Sequence, residues 1–504
     1  MKKVWLSMRL RYERRVNWIR NNIVLRKRLL FIWGLVVCHS IVEYPVVCNL
    51  LMLYLVKFVG QRTVVAAITI NLLHSFSSLF VFLAAYIAEV FTNRFNVIVF
   101  STGSYTTGLI LLWISAKSRR EFNMFYLAII LIAIGKSGRG SILQYFLGFQ
   151  LSGRKDAVKF IDVPGNHVNV GEPRQRKVCW YSARISGYVI TIFVLGNTTW
   201  LYTFKISGLV MGVAYFAFYF GSFSYYPENP TKNSLANILK FFKKSISNKY
   251  HLLCIALFPY TLVWATANTL FIAQTVDTNL HIGNILLVPG TIFVVILNSI
   301  ISDVVVFLFC LRRTTQRRIP LMRIGAGMVF AVFSCVAARQ VELHRQHSIG
   351  PISIFWLVPQ YILLGLMEGF AGGGLVTFFY DHLPKSMKSF AEAFSELILC
   401  IGKISSIFFL LIINAWFDHH IKDNRFDRYF LILAILCSLF FCLYLACSLG
   451  YDNLETTAEI EESYAMEAGV EDGDQEEEES PEDMDISVEE FGDAGYEIRG
   501  NIRW

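Results

Sequence analysis

Few side chains in the apolar stretches of this 504-residue chain are ionisable. They are His39, Glu43, His74, Lys136, Arg139 and Arg184 in the first half, and Asp303, Glu368, Glu392, Glu396 and Lys403 in the second. An ionisable group in hydrocarbon costs about 2.5–3.5 kcal/mol on insertion scales, so each is a functional candidate by default. His39 and Glu43 lie four residues apart and share one helical face. Histidine titrates near neutrality, so such a pair can relay a proton. Lys136 and Arg139 share a face too, and with Arg184 they would make a cationic lining for an anionic group. Glu396 and Lys403 stand seven residues apart, two helical turns, and are the expected coupling or gating pair. Glu392 is expected near the inner surface. Asp303 and Glu368 are expected to serve structure, as are Glu89 and Arg94 outside the apolar core. Gly372 and Gly373 mark a soft point suited to a gate.

No other chemistry competes strongly. The ten cysteines form no CxxC pair, which supports neither a zinc site nor a disulfide framework. No HExxH, GxSxG, Walker or GxGxxG pattern stands in a supporting context. The expectation is therefore no enzyme, no cofactor and no metal.

The elements that hold these residues are set by composition. Hydrophobic residues make up 55% of the chain and charged residues only 17%, against about 25% in ordinary soluble domains. That excludes a soluble enzyme, a disordered chain and a nucleic-acid-binding module, and makes lipid the solvent. A membrane span needs roughly 20 mostly apolar residues. Twelve are expected, near 29–56, 65–92, 95–116, 122–148, 177–197, 199–221, 251–275, 285–311, 319–340, 352–380, 388–416 and 429–449. Pro45, Pro289 and Pro359 are expected to bend spans. Gly365, Gly369 and Gly373 repeat at the four-residue step of close helix packing, as do Gly208 and Gly212.

The expected organisation is a basic leader over 1–28, a six-helix bundle over 29–221, an amphipathic linker over 222–250, a second bundle over 251–449 and an acidic tail over 450–504. The net charge of +8 combines a tail of −18 with a body of +26. Basic residues crowd the leader and alternate loops, so the positive-inside rule puts both termini in the cytoplasm. The tail reads as solvated and disordered, and it is a candidate to dock on the basic leader or linker.

Specific segments add a resemblance. Ala84-Ala-Tyr-Ile-Ala-Glu89-Val-Phe-Thr-Asn-Arg94 resembles, in a worn form, the G-x-x-x-D-x-x-x-x-G-R loop of major facilitator transporters. Met322-Arg-Ile-Gly325-Ala-Gly327, Phe355-Trp-Leu-Val-Pro359-Gln360-Tyr361 and Phe378-Phe-Tyr380-Asp381-His-Leu-Pro384 resemble three ordered signatures of the plant nitrate/peptide transporter family. That family belongs to the proton-dependent oligopeptide transporters. Trp180-Tyr181 and Cys48-Asn49-Leu50 match two shorter ones. The resemblance implies an all-α membrane protein of the major facilitator fold in the plasma or vacuolar membrane. It implies a small-molecule substrate moved by alternating access, with the lipid bilayer and protons as partners and no nucleic acid.

The chain departs from the family at its coupling positions. The E-x-x-E-R positions of span one fall on Val36, His39 and Ser40, the span-four Lys on Gly140 and the span-ten Glu on Thr377. The His of nitrate-transporting relatives falls near Trp264. Facilitated transport, or proton coupling through replacement residues, is therefore expected. The alternatives are a transporter-derived sensor or scaffold and, more remotely, a membrane enzyme.

Overall fold

Pairs of helices welded by small residues organise the molecule. The computed structural model describes residues 27–43, 50–118, 122–162, 171–195, 200–228, 257–275, 278, 281–282, 285–286, 290–311, 318–348, 350–383, 385–414 and 424–448. The basic leader up to residue 26, Pro45, Pro289, most of the linker and the acidic tail lie outside them. The chain divides into two units, Met1–Leu449 and Gly450–Trp504, and every described residue belongs to the first.

The first half of that unit contains α1 (Lys27–Val42) and α2 (Leu51–Leu53), which runs into a π-helical turn over Tyr54–Phe58. It continues with α3 (Thr63–Val90), α4 (Arg94–Ser118), α5 (Phe122–Lys136), α6 (Ser141–Asp162), α7 (Gly171–Leu195) and α8 (Trp200–Phe220). The second half has α9 (Phe258–Ala267), α10 (Leu270–Gln274) and a short antiparallel pair, β1 (His281–Ile282) with β2 (Ile285–Leu286). It is completed by α11 (Gly290–Leu311), α12 (Arg318–His347), α13 (Val358–Met367), α14 (Gly373–His382), α15 (Ala391–Ile412) and α16 (Phe426–Ser448).

Among the described residues, nine helical stretches are long and apolar enough to cross a membrane. They coincide with nine of the expected spans, and helices also occupy the other three, at α1–α2, α7 and α9–α10. Phe193, Val213, Phe216, Leu308 and Leu439 stand exposed on the outer faces. In water such residues would form a large apolar patch; in a bilayer they are solvated.

Close approach depends on glycine. A side chain at Gly108 would meet Ile132 Cγ1 at 2.8 Å, and Gly135 and Gly138 lie against Tyr105 and Ser101, so α4 and α5 fit backbone to backbone. The expected stripe on the tenth span is used in this way. A side chain at Gly365 would meet the backbone carbonyl of Asn298 at 2.7 Å, and one at Gly369 would meet Val305 Cβ at 2.7 Å, both on α11. A side chain at Gly208 would meet Ile110 Cγ1 at 3.3 Å. Gly60, with φ of 74°, takes the left-handed conformation that ends the π turn before α3.

Three expected spans are interrupted rather than continuous. The fourth breaks at residues 137–140, where Gly138 and Gly140 lower helix propensity and Ser137 Oγ returns to the carbonyl of Ile134 at 2.6 Å. The seventh breaks at Asn268-Thr269. There the Asn268 and Thr269 side chains donate to the carbonyls of Trp264 and Ala265 at 2.9 and 3.0 Å, competing with the helical ladder. The tenth carries a π-helical turn over Glu368–Gly372 between α13 and α14. Pro359 does not bend this span; it sits in the first turn of α13, where its missing N–H leaves no bond broken.

The two halves meet along α3 with α15 and along α7 with α11.

Candidate functional site

The interruptions converge. A cavity of about 220 Å³ lies between the halves, lined among others by Arg139 and Gly140 from the fourth-span break, Asn268 from the seventh and Glu368 from the tenth. Broken helices free backbone and side-chain polar groups at membrane depth, where they are tolerated only around a cavity or within protein.

On the first-half wall, Glu43 is 2% exposed and is the centre of a cluster. Lys136 Nζ lies 2.8 Å from its Oε1 and Arg139 Nη1 lies 3.4 Å from Oε2. Tyr105 donates its hydroxyl to Oε2 at 3.0 Å. Lys136 Nζ also lies 3.1 Å from His74 Nδ1. Lys136 ends α5 and Arg139 lies in the turn that follows, and both reach the same carboxylate.

Lys403 on α15, 2% exposed, dominates the opposite wall. It donates to Ser78 Oγ on α3 at 2.6 Å, and Ser78 in turn donates to Glu396 Oε2 at 2.6 Å. Lys403 and Glu396 lie 3.5 Å apart directly. The ammonium sits 4.2 Å above the Trp264 ring. This group therefore ties the first half to the second inside the cavity. Asn71 Nδ2 donates to Ser406 Oγ at 3.1 Å along the same seam.

The expected site residues fall into four places. Glu43, Lys136, Arg139, Glu396 and Lys403 line the cavity together, joined by Glu368 and Glu392. The carboxylate of Glu392 lies beside Gly140 on this wall. His39 is buried one helical turn before Glu43, its ring 5.4 Å from that of Tyr105. It is absent from the cavity wall, and its Nδ1 has no partner among the described residues. Arg184 does not join the cationic lining. It pairs with Asp303 Oδ1 at 3.0 Å across the α7–α11 contact, and Tyr188 hydroxyl bonds both, at 2.8 and 3.1 Å. Glu89 and Arg94 form an ion pair outside the cavity, which Glu228 joins on Arg94.

Gly372 and Gly373 close the π turn; a side chain at Gly373 would meet the Arg323 guanidinium at 2.5 Å, and one at Gly372 only the Tyr260 hydroxyl at 3.2 Å. A substitution is met sooner at Gly373.

Sequence reasoning missed several members. Ser78, Asn268 and Asn298 are neutral and carry no mark in an apolar helix, and Trp264 and Tyr361 read equally well as packing or bilayer residues. It also missed Glu342, which is fully buried and takes Arg345 at 2.6 Å, Gln274 at 3.1 Å and Gln346 at 3.2 Å. The expected ninth span stopped at 340, but α12 runs on to His347. The three-residue spacing of Glu342 and Arg345 was the available signal.

Fold and cavity describe a membrane-spanning protein of two helical halves around a polar cavity. Residues 243–416 match the model of the POT family, PTR2. Among curated relatives, the Arabidopsis thaliana Protein NRT1/PTR FAMILY 5.15 is 25% identical over 84% of this chain and 92% of its own length. Protein NRT1/PTR FAMILY 5.7 of the same plant is 24% identical over 84% and 87%. A crystal structure of a peptide transporter POT in complex with sulfate superposes with a TM-score of 0.65 at 14% identity, covering 84% of this chain and 94% of that one. The POT family transporter PepTSo gives 0.60 at 17% identity, over 84% and 98%. These likenesses agree with the fold described above. The matched segment, the curated relatives and the solved structures agree in what this chain is similar to, transporters of the POT family.

Proposed function

We propose that the chain moves a small solute across the membrane by alternating access. Transport is facilitative, or coupled to protons through residues other than the family's usual set. The observation that carries this is the Lys403–Ser78–Glu396 group, which joins the two halves through charges inside the cavity they enclose. For the halves to rock apart, that group has to rearrange, and a solute or a proton is what would change its balance.

Contacts between the halves lie on both sides of the cavity, as this cycle requires. At one end Tyr145 hydroxyl donates to the carbonyl of Lys388 at 2.9 Å, and Val81 and Ala85 pack on Phe390 and Phe394. At the other, Arg62 meets Asn414 at 3.4 Å and Asn424 meets Thr63 at 3.3 Å. Glu43 with Lys136 and Arg139 supplies a second charge cluster on the first half, of residue types the family also uses there but at shifted positions. His39 sits behind Glu43 as its proton relay. Gly372 and Gly373 let the tenth span flex. The plasma or vacuolar membrane, cytoplasmic termini and docking of the acidic tail on basic cytoplasmic segments complete the proposal.

The test is uptake by the purified protein in proteoliposomes, with and without an inward proton gradient. Gradient-independent uptake supports facilitation. Acid-stimulated uptake abolished in Glu396→Gln supports replacement coupling. Solute binding without uptake under any gradient overturns transport.

A further inference from the structure

The charges on the cavity wall do not cancel. Its three basic side chains are all paired with carboxylates: Lys136 and Arg139 with Glu43, and Lys403 with Glu396. Two acids remain. Glu392 makes no ion pair or hydrogen bond among the described residues, and Glu368 accepts one hydrogen bond, from the neutral amide of Asn298 at 3.4 Å. Three basic and four acidic side chains line the wall, so the formal balance is one negative charge, which opposes an anionic solute and favours a cation.

A second observation is independent of charge. Asn298, 7% exposed, and Tyr361, 1% exposed, line the same cavity. The side-chain oxygen of Asn298 and the Tyr361 hydroxyl are buried with no partner among the described residues. Buried polar atoms left unpaired are costly, so a site that carries two is shaped for a ligand that satisfies them. Between these groups stand Trp264, Ile272, Val295, Leu364 and Leu399. That is the lining of a site that holds a hydrocarbon body by apolar contact and orients it by a few polar groups.

We propose that the cavity binds a small amine-bearing organic cation, its ammonium held by Glu368 and Glu392, its body by the apolar wall, and a hydroxyl or second polar group by Asn298 and Tyr361. A divalent metal is a poorer fit. No group of three His, Cys, Asp or Glu among the described residues is placed to hold one, and hard cations need a larger oxygen shell. An ammonium needs only hydrogen-bond acceptors and a flanking apolar surface. The inference rests on the transport reading only for its physiological meaning; binding stands or falls separately.

Three ligands of one shape isolate the charge: tyramine, its neutral analogue tyrosol and the anion 4-hydroxyphenylacetate. The full-length protein in detergent is melted at pH 7 with each at millimolar concentration, and phenethylamine and agmatine widen the amine set. Tyramine is expected to raise the melting temperature by several degrees, with little or no shift from tyrosol or the acid. Glu368→Gln and Glu392→Gln are expected to weaken the tyramine dissociation constant at least tenfold. An equal or larger shift from tyrosol or the acid overturns the proposal, and so does the absence of a shift from all three amines. Where a variant fails to fold, the comparison on the unaltered protein decides. Proteoliposome uptake separates the two readings. Amines that bind and never cross leave the site and remove transport, whereas uptake of the acid in preference to the amines leaves transport and removes the site.

Discussion

Glu43 has the most partners of any carboxylate in the cavity, so its loss is the most damaging single change there. Glu43→Gln leaves Lys136 and Arg139 near one another with no countercharge. Breaking a buried pair in this way typically costs about 3–5 kcal/mol, and the thermal midpoint of the detergent-solubilised protein is expected to fall accordingly. Adding Lys136→Met, which removes one stranded charge, is expected to recover part of the loss; a double variant less stable than the single one would refute the pairing. Ser78 offers a gentler probe, because its hydroxyl both receives from Lys403 and donates to Glu396. Ser78→Ala removes both bonds, each worth about 0.5–3 kcal/mol depending on charge. It is expected to change transport rate more than stability, read as uptake per folded molecule. The charged members of this chemistry were legible in the sequence, since intramembrane charges are conspicuous. The neutral ones were not: Ser78 differs from Ser75 or Ser77 only in what α15 brings opposite it.

At the scale of elements, function depends on where helices stop. Nine of the expected spans coincide with described helices long and apolar enough to cross a membrane, because lipid solvation selects for the apolar run. The breaks escaped that reading. A window average passes over Asn268-Thr269 or residues 137–140 unchanged, and side-chain competition for backbone bonds becomes visible only with geometry. The glycine step on the tenth span was legible from spacing alone, and its partner helix α11 was not. Gly369→Leu forces a branched side chain into Val305, 2.7 Å from where its Cβ would lie. Overpacking of this kind costs typically about 1–3 kcal/mol, and the variant is expected to melt earlier and to accumulate less in the membrane. Gly372→Ala faces only the Tyr260 hydroxyl at 3.2 Å. It is expected to fold normally, so a fall in its uptake rate reports stiffening of the π turn rather than misfolding.

For the whole molecule, the α7–α11 contact provides a test of motion between the halves. Arg184, Asp303 and Tyr188 form one hydrogen-bonded group across it. If the group holds one state of the cycle, Arg184→Ala and Asp303→Ala should each shift the balance of states and slow uptake. The exchange Arg184→Asp with Asp303→Arg should restore uptake in part. Cysteine pairs offer a complementary check: Tyr145→Cys with Lys388→Cys at one end and Arg62→Cys with Asn414→Cys at the other. Either crosslink is expected to stop transport until reduced, and uptake that survives both would exclude rocking of the halves as the transport step.

The Tyr226 segment bears on the molecule's assembly. Gln150 holds the backbone of Tyr226 at both ends, through Nε2 to its carbonyl at 3.0 Å and Oε1 from its N–H at 2.9 Å. Arg28 covers the Tyr226 ring at 4.0 Å, Tyr225 packs on Phe95, Phe146 and Phe218, and Glu228 closes on Arg94. The first half thus fastens its own trailing end, and none of these fastenings needs the peptide bond that follows Glu228. A gene split at that point would leave two polypeptides, the first carrying its complete set of clamps and the second free to dock along α3 and α7. Co-expressed fragments that reconstitute uptake would make the protein a two-component system, each part open to separate labelling.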